Sequence, residues 1–207
     1  ILILGCTPPE MAHTLAELGI SQTVYSEEYA GELSRAAVEQ KAVIDCHVKI
    51  DTGMSRIGFF AQHGHEARAA EEIARVCALP GLSCTGVFTH FACADECAGD
   101  SRDYTRMQYR SFLDTVELLE KRGITFALRH CCNSAAALAY PEMHLDMVRL
   151  GVVLYGLPPS PEYAGMADLR PAMSLYTTVT MVKTLEAGIA VSYGRRYVTE
   201  HDGQRLA

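Results

Sequence analysis

The chain has 207 residues, of which 49% are hydrophobic and 21% charged, and it carries a net charge of -7 at neutral pH. That is ordinary globular composition, with enough length for one sizeable domain and part of a second. No apolar run approaches the roughly 18 residues a membrane helix requires, no basic leader precedes an apolar core at the start, and the acidic balance without a Lys/Arg cluster argues against a nucleic-acid surface. A soluble, cytoplasmic protein with a small-molecule or subunit partner is expected.

In chain order, "ILILG" (1–5) reads as a strand ended by glycine. "PPEMAHTLAELG" follows as a helix with Met11, Leu15 and Leu18 at helical spacing. "TVYS" and "YAGELSRAAVEQ" repeat the pair. "VIDCHVKID" is the next strand, followed after a loop by "HEARAAEEIARVCAL", with Ala70, Ile73, Ala74 and Cys77 on one face. "LSCTGVFTHF" precedes a long helix from about Ser101 to Arg122, striped by Tyr104, Met107, Phe112, Val116 and Leu119. Then come "FALRHCCN", a short "SAAALAY" helix and "MVRLGVVLYG". Six strands in this alternation predict an α/β fold, a partial TIM-type (β/α)8 barrel over 1–160. After the Pro-rich "LPPSPEY", the stretch "AMSLYTTVTMVKTLEAGIAVSYGRRYVT" is rich in Thr, Val and Tyr. It turns at Ala187 to Ile189 and predicts the beginning of an all-β C-terminal domain over 168–207. Six strands cannot close an eight-stranded barrel and the last strands stand nearly alone, so both ends are expected to be missing.

Eight cysteines in apolar contexts read as reduced thiols rather than a disulfide framework. A zinc site could be drawn from Cys93, Cys97 and His90, or from Cys131 and His130, but the paired CxxC spacings of structural zinc are absent and no metal is expected.

The polar residues sort by position. Lys49, Asp51 and Arg56 sit in and after the third strand, His90 and Asp95 after the fourth, Asn133 and Ser134 after the fifth, and Arg149 and Gly151 in the sixth. Strand C-termini gather the chemistry of such barrels. Ser134, at a strand-to-helix junction, can offer a hydroxyl and a helix N-terminal amide to a phosphate, and Gly151 permits close backbone approach. Singly, each has a plainer reading: His90 as a hydrogen-bonded core histidine, Ser134 as an N-cap, Arg149 as a structural partner of Asp146 or Asp51, and Lys49 as a partner of Asp51 inside the barrel.

The strings "HVKIDTGMSRIGF", "GVFTHFACAD", "HCCNSAAAL", "MVRLGVVLYG", "LRPAMSLYTTV" and "AVSYGRRY" resemble, in order and over nearly the whole chain, the motifs of bacterial alanine racemase. The resemblance implies pyridoxal 5'-phosphate as cofactor, an active site shared between the subunits of a homodimer, and interconversion of L- and D-alanine, supplying D-alanine for peptidoglycan. Carried over by position, His90 packs against the pyridine ring, Asn133 belongs to the cofactor site, and Ser134 with the backbone of Gly151 and Val152 holds the phosphate. Arg149 faces the ring nitrogen, Arg56 lies near the substrate carboxylate, and Tyr193 is one of two acid/base groups. Racemisation needs two, because the proton leaves one face of the α-carbon and returns to the other. The family's second group is the lysine that binds the cofactor covalently, in a motif like "KANAYGHG". The chain's four lysines (Lys41, Lys49, Lys121, Lys183) all lie outside such a context. Lys49 instead matches a lysine that some members carry as a carbamate, an anion beside Arg56. A serine or broad-specificity racemase, and a non-catalytic pyridoxal-phosphate-binding paralogue, stay open as alternatives.

Overall fold

The computed structural model describes residues 1–96 and 99–207, so Cys97, one of the residues weighed for zinc, lies outside the described residues. The chain divides into two units, Ile1–Ala172 and Met173–Ala207.

In the first unit, β1 (Leu2–Ile3), β2 (Ser21–Val24), β3 (Ile44–Asp51), β5 (Leu82–Phe88) and β6 (Leu128–His130) form one sheet in that order, and β4 (Phe59–Phe60) pairs with the end of β3. Every pairing in it is parallel. Each strand sits beside the next in sequence, apart from the short β4, so the sheet advances around a barrel instead of reversing; this is a parallel half-barrel.

The helices α1 (Ala12–Glu17), α2 (Glu27–Glu39), α3 (Glu66–Cys77) and α4 (Asp100–Glu120) alternate with the strands. Ser26 starts α2 by accepting the Tyr29 amide at 3.2 Å, with Glu27 and Glu28 favouring the positive end of the helix dipole. Their buried faces (Leu33 and Ala37, Ala70 and Ile73, Phe112 and Leu119) meet the strand residues Ile44, Cys46, Val48, Ile50 and Val87. These strand positions alternate, so the other face of β3 presents His47, Lys49 and Asp51 to the barrel interior. In register, β5 offers Gly86 beside His47 and Phe88 beside Lys49, and β6 offers His130 beside Phe88. A smaller apolar cluster under α5 (Ser134–Ala139) gathers Phe91, Cys131, Cys132, Tyr140, Met143 and Tyr163.

The expected sixth strand over 147–156 is not formed. Among the described residues, only the amides of Asp146 and Arg149 bond to the backbone of β6 and the segment after it, at Arg129 O (3.1 Å) and Cys132 O (3.0 Å), after which Val152–Tyr155 coils into a 3-10 turn closed by left-handed Gly156. The backbone of this segment is spent on local bonds instead, the Leu154 amide on Gly151 O (2.9 Å) and the Gly156 amide on Val153 O (3.0 Å). Beyond residue 160 the chain stays on this unit: Tyr163, buried, donates its hydroxyl to Ala94 O, and the Ala172 amide bonds Tyr155 O at 3.0 Å.

In the second unit, Lys183–Leu185 pairs antiparallel with Gln204–Leu206, and Ala190–Val191 with Tyr197–Val198. The Gly188 turn is fastened by Thr199, whose hydroxyl accepts the Ile189 amide at 2.8 Å. Met173–Val182, read as strand from its composition, has no assigned strand or helix.

Candidate active site

The loop after β3 is built around a carboxylate. Asp51 Oδ1 accepts the amides of Gly53 (3.1 Å) and Ser55 (2.9 Å) and the side chain of Gln62 (3.4 Å). It is therefore committed to the turn and pairs with neither Lys49 nor Arg149. Gly58 (φ 130°) closes the turn against the sheet, where a Cβ would lie 2.8 Å from Asp51 N. Thr52 Oγ1 meets Thr89 Oγ1 at 2.7 Å, joining the ends of β3 and β5. From outside, Tyr104 of α4 donates to Gly53 O at 2.9 Å, and Gln108 grips the next loop by donating to His90 O (3.2 Å) and accepting the Ala92 amide (2.9 Å).

A cavity of about 490 Å³ opens at these strand ends. It is lined by His90, Asn133, Ser134, Arg149, Gly151 and Val152, together with Leu4, Met54 and Asp95 among others. The structure thus brings together all six residues singled out for the cofactor. Ser134 Oγ accepts the Gly151 amide at 2.8 Å. Asn133 caps α5, its Oδ1 accepting the Ala136 amide at 3.0 Å, which leaves the earlier amides of that turn without an intrahelical acceptor. A cleft of about 540 Å³ between Glu66 and the α4 residues Arg106, Arg110 and Asp114 lies in the helical layer, away from the strand ends.

Arg149 is the centre of the polar network. Its Nη2 donates to Thr89 O (2.7 Å) and Cys131 O (3.0 Å) and lies 3.3 Å from His90 Nδ1. Its Nη1 lies 2.5 Å from His130 Nδ1, whose Nε2 is in turn 2.8 Å from His47 Nδ1. Among the described residues, Arg149 Nε is buried with no hydrogen-bond partner. Asp146, the alternative partner, is taken by Arg129 at 3.0 Å. Burial draws the Arg149 pKa down to about 10, still fully protonated at neutral pH. Burial first, and then the Arg149 charge, push His90 down to about 4 and His130 to about 2, so both rings are neutral.

Lys49 is 2% exposed. Among the described residues its Nζ makes no hydrogen bond or ion pair and lies 5.7 Å from the Phe88 ring centre. Burial, then Arg56 and Arg149, lower its pKa to about 8, against the opposing pull of Asp51. Arg56 is exposed in the loop beyond. Tyr193 belongs to the second unit, at the start of the 3-10 turn Tyr193–Arg195, and is exposed. Among the described residues no cluster of three metal-ligating side chains occurs: Cys93 Sγ is directed to Ser101 O, and His130 is engaged by Arg149 and His47.

The sequence reading missed His47, Gly86, Phe88 and Thr89, and it had weighed His130 only for zinc. The signal was present in the period-two alternation of "HVKID" and "GVFTH", which puts His47, Lys49 and Asp51 on one face and Gly86, Phe88 and His90 on its neighbour.

Residues 1–159 match the family model described as alanine racemase, N-terminal domain. The chain is 42% identical over 203 residues to the alanine racemase of Clostridium tetani, covering 98% of this chain and 51% of that protein. It is 43% identical over 202 residues to that of Desulfovibrio desulfuricans, covering 98% and 52%. Among solved structures, Clostridium difficile 630 alanine racemase superposes with a TM-score of 0.81 at 37% identity (97% of this chain, 51% of that one). Bacillus anthracis alanine racemase with bound L-Ala-P does so with 0.80 at 32% (98% and 51%). The chain spans about half the length of the curated relatives it matches. With the half-barrel and the strand-end cavity in the same register as its motifs, the chain belongs to the alanine racemase N-terminal domain family.

Proposed function

We propose that the complete protein is an alanine racemase dependent on pyridoxal 5'-phosphate, working as a homodimer by a two-base mechanism and supplying D-alanine for peptidoglycan, with residues 168–207 beginning its C-terminal β domain. The observation that carries this is the Arg149 Nε–H, a buried donor without an acceptor among the described residues, on a side chain that lines a cavity with Ser134 and Gly151. A buried unpaired donor is costly, and the ring nitrogen of the cofactor is an acceptor of the right kind. The Ser134 hydroxyl, the Gly151 and Val152 backbone and the first amides of α5 suit its phosphate, and His90 suits the face of its ring.

When bound, pyridoxal 5'-phosphate supplies an electron sink for the α-carbon of an amino acid. The chain's own residues set how that sink is used. Arg149 donates a hydrogen bond and cannot give up its proton at neutral pH, so the sink stays moderate and return of the proton is favoured over transamination. Tyr193, reaching across from the partner subunit of the homodimer, exchanges a proton with the α-carbon from one face through its hydroxyl, and the lysine of the family's "KANAYGHG" motif, a motif that these 207 residues do not contain, serves the other. Arg56 holds the substrate carboxylate. Lys49, with its lowered pKa, is carbamylated: the free amine bonds the carbon of carbon dioxide, the proton leaves to solvent, and the resulting anion steadies Arg56.

Racemase assays of the complete gene product with L-alanine and L-serine, beside a Tyr193→Phe variant, test the reading. Turnover of alanine should dominate, and the variant should lose 10²- to 10⁴-fold, the usual contribution of a positioned acid/base. Cofactor binding without turnover would favour a binding protein, and a loss below about tenfold would remove Tyr193 from the mechanism.

A further inference from the structure

His47 touches neither the cavity nor the exterior: it is 4% exposed and faces the barrel interior from β3. Its register partner on β5 is Gly86. A Cβ placed on Gly86 would stand 2.4 Å from His47 Nδ1 and Cε1 and 2.6 Å from Cγ. Gly86 has no positive φ to accommodate, so this glycine is required for space and not for conformation. The imidazole occupies the volume that any other residue at 86 would fill.

That placement has a chemical result. A guanidinium only donates, so His130 Nδ1, 2.5 Å from Arg149 Nη1, must be bare. Neutral His130 then carries its single proton on Nε2, and His47 Nδ1, 2.8 Å away, must be the acceptor. The direction of every bond from Arg149 to His47 is fixed. Without the acceptor at His47, the His130 Nε2–H would be left unpaired at 0% exposure. A shift of the proton to Nδ1 would then bring two donors face to face and push the guanidinium away.

We infer that His47 and Gly86 are positioning residues for Arg149: the missing side chain at 86 seats the His47 ring, and His47 Nδ1 locks the tautomer of His130 that receives Arg149 Nη1. The inference rests on the reading of Arg149 as the partner of the cofactor's ring nitrogen. His47 acts through two intermediaries and touches no reacting atom.

The test uses the complete gene product with His47→Asn, His47→Leu, Gly86→Ala, and the double variant His47→Ala/Gly86→Ala. Histidine ¹⁵N shifts before cofactor addition read the His130 tautomer; titration with pyridoxal 5'-phosphate reads affinity and the absorbance of the bound form; kcat and KM for alanine are then measured. Asn keeps an acceptor at the position of Nδ1, and His47→Asn should retain the Nε2–H tautomer and most of kcat. His47→Leu should give mixed tautomers, a shifted absorbance band and a kcat lower by on the order of tenfold, the size expected for one buried unpaired donor, with KM little changed. Gly86→Ala should behave likewise if it folds. In the double variant the new methyl fills the space left by the ring, so it should fold and still show the lowered kcat. Wild-type kcat in the double variant, or a pure Nε2–H tautomer in His47→Leu, would mean that the pair only packs. If the unmodified protein neither binds the cofactor nor racemises, the reading of the site fails, and the tautomer measurement still decides the inference by itself.

Discussion

The Arg149 guanidinium carbon lies 5.1 Å from the centre of the Phe88 ring. The same ring stacks on His130 (4.7 Å, 8°) and receives Lys49 Nζ at 5.7 Å. One aromatic side chain therefore packs against both the Arg149 guanidinium and the buried Lys49 side chain. Replacing it by Leu keeps most of the volume and removes the π-face. Phe88→Leu should destabilise the complete protein by about 1–2 kcal/mol, measured as a lower denaturation midpoint with an unchanged denaturant slope; no change in midpoint would show that the ring contributes only bulk.

Lys49 should take up carbon dioxide more readily as pH rises through about 8, because only the neutral amine reacts and burial beside Arg56 and Arg149 has lowered its pKa to that value. Intact mass after gentle preparation in bicarbonate should show one added carbon dioxide, absent in Lys49→Ala. A free amine at pH 8.5, with chloride or another anion beside it in electron density, would rule the carbamate out.

Acid should weaken the fold before the carboxylates titrate. His130 and His90 have folded-state pKa values depressed to about 2 and 4 from 6.5. As pH falls below 6.5 the unfolded chain binds protons that the native state refuses, so native stability falls with pH. For the fully buried His130 the loss approaches about 1.4 kcal/mol per pH unit below pH 6.5, or about 2 kcal/mol in all between pH 6.5 and 4.5. Denaturation midpoints across that range check it, and His130→Asn should flatten the slope. A midpoint constant from 6.5 to 4.5 would show that His130 charges freely in the native state.

At Gly58, φ is 130° and a Cβ would meet backbone on the opposite strand at 2.8 Å from Asp51 N and 3.0 Å from Lys49 O. Both strain and collision oppose a side chain there, so Gly58→Ala should cost about 2 kcal/mol or more. The same substitution at Gly64 (φ 86°), where nothing lies within 4 Å, should cost about 1 kcal/mol. Equal costs would remove the close approach as the cause.

The barrel character and the helices were legible because apolar periodicity is strong in them: Ile73 and Phe112 announce buried helix faces, and "VIDCHVKID" announces a strand. The segment around Val152 misled because its composition suits a strand, whereas Gly151 and left-handed Gly156 bound a 3-10 turn over Val152–Tyr155. Asp51 and Arg149 were visible as residues worth placing, yet their partners were not. Whether Asp51 binds a lysine or a turn depends on backbone amides, and these carry no letter in a sequence. The importance of Gly86 was hidden for a similar reason, since its role is to leave a volume empty for a side chain on another strand.

Tyr104 and Gln108 sit one turn apart on α4, and they hold the loops after two different strands, through Gly53 on one side and His90 and Ala92 on the other. The two loops are therefore tied to a single mechanical element. Amide hydrogen exchange in 53–55 and 90–92 should share one opening free energy with the first half of α4, making the rim of the cavity a single cooperative unit. The pocket then opens as a whole or stays shut, and a perturbation at one loop is felt at the other without passing through the barrel.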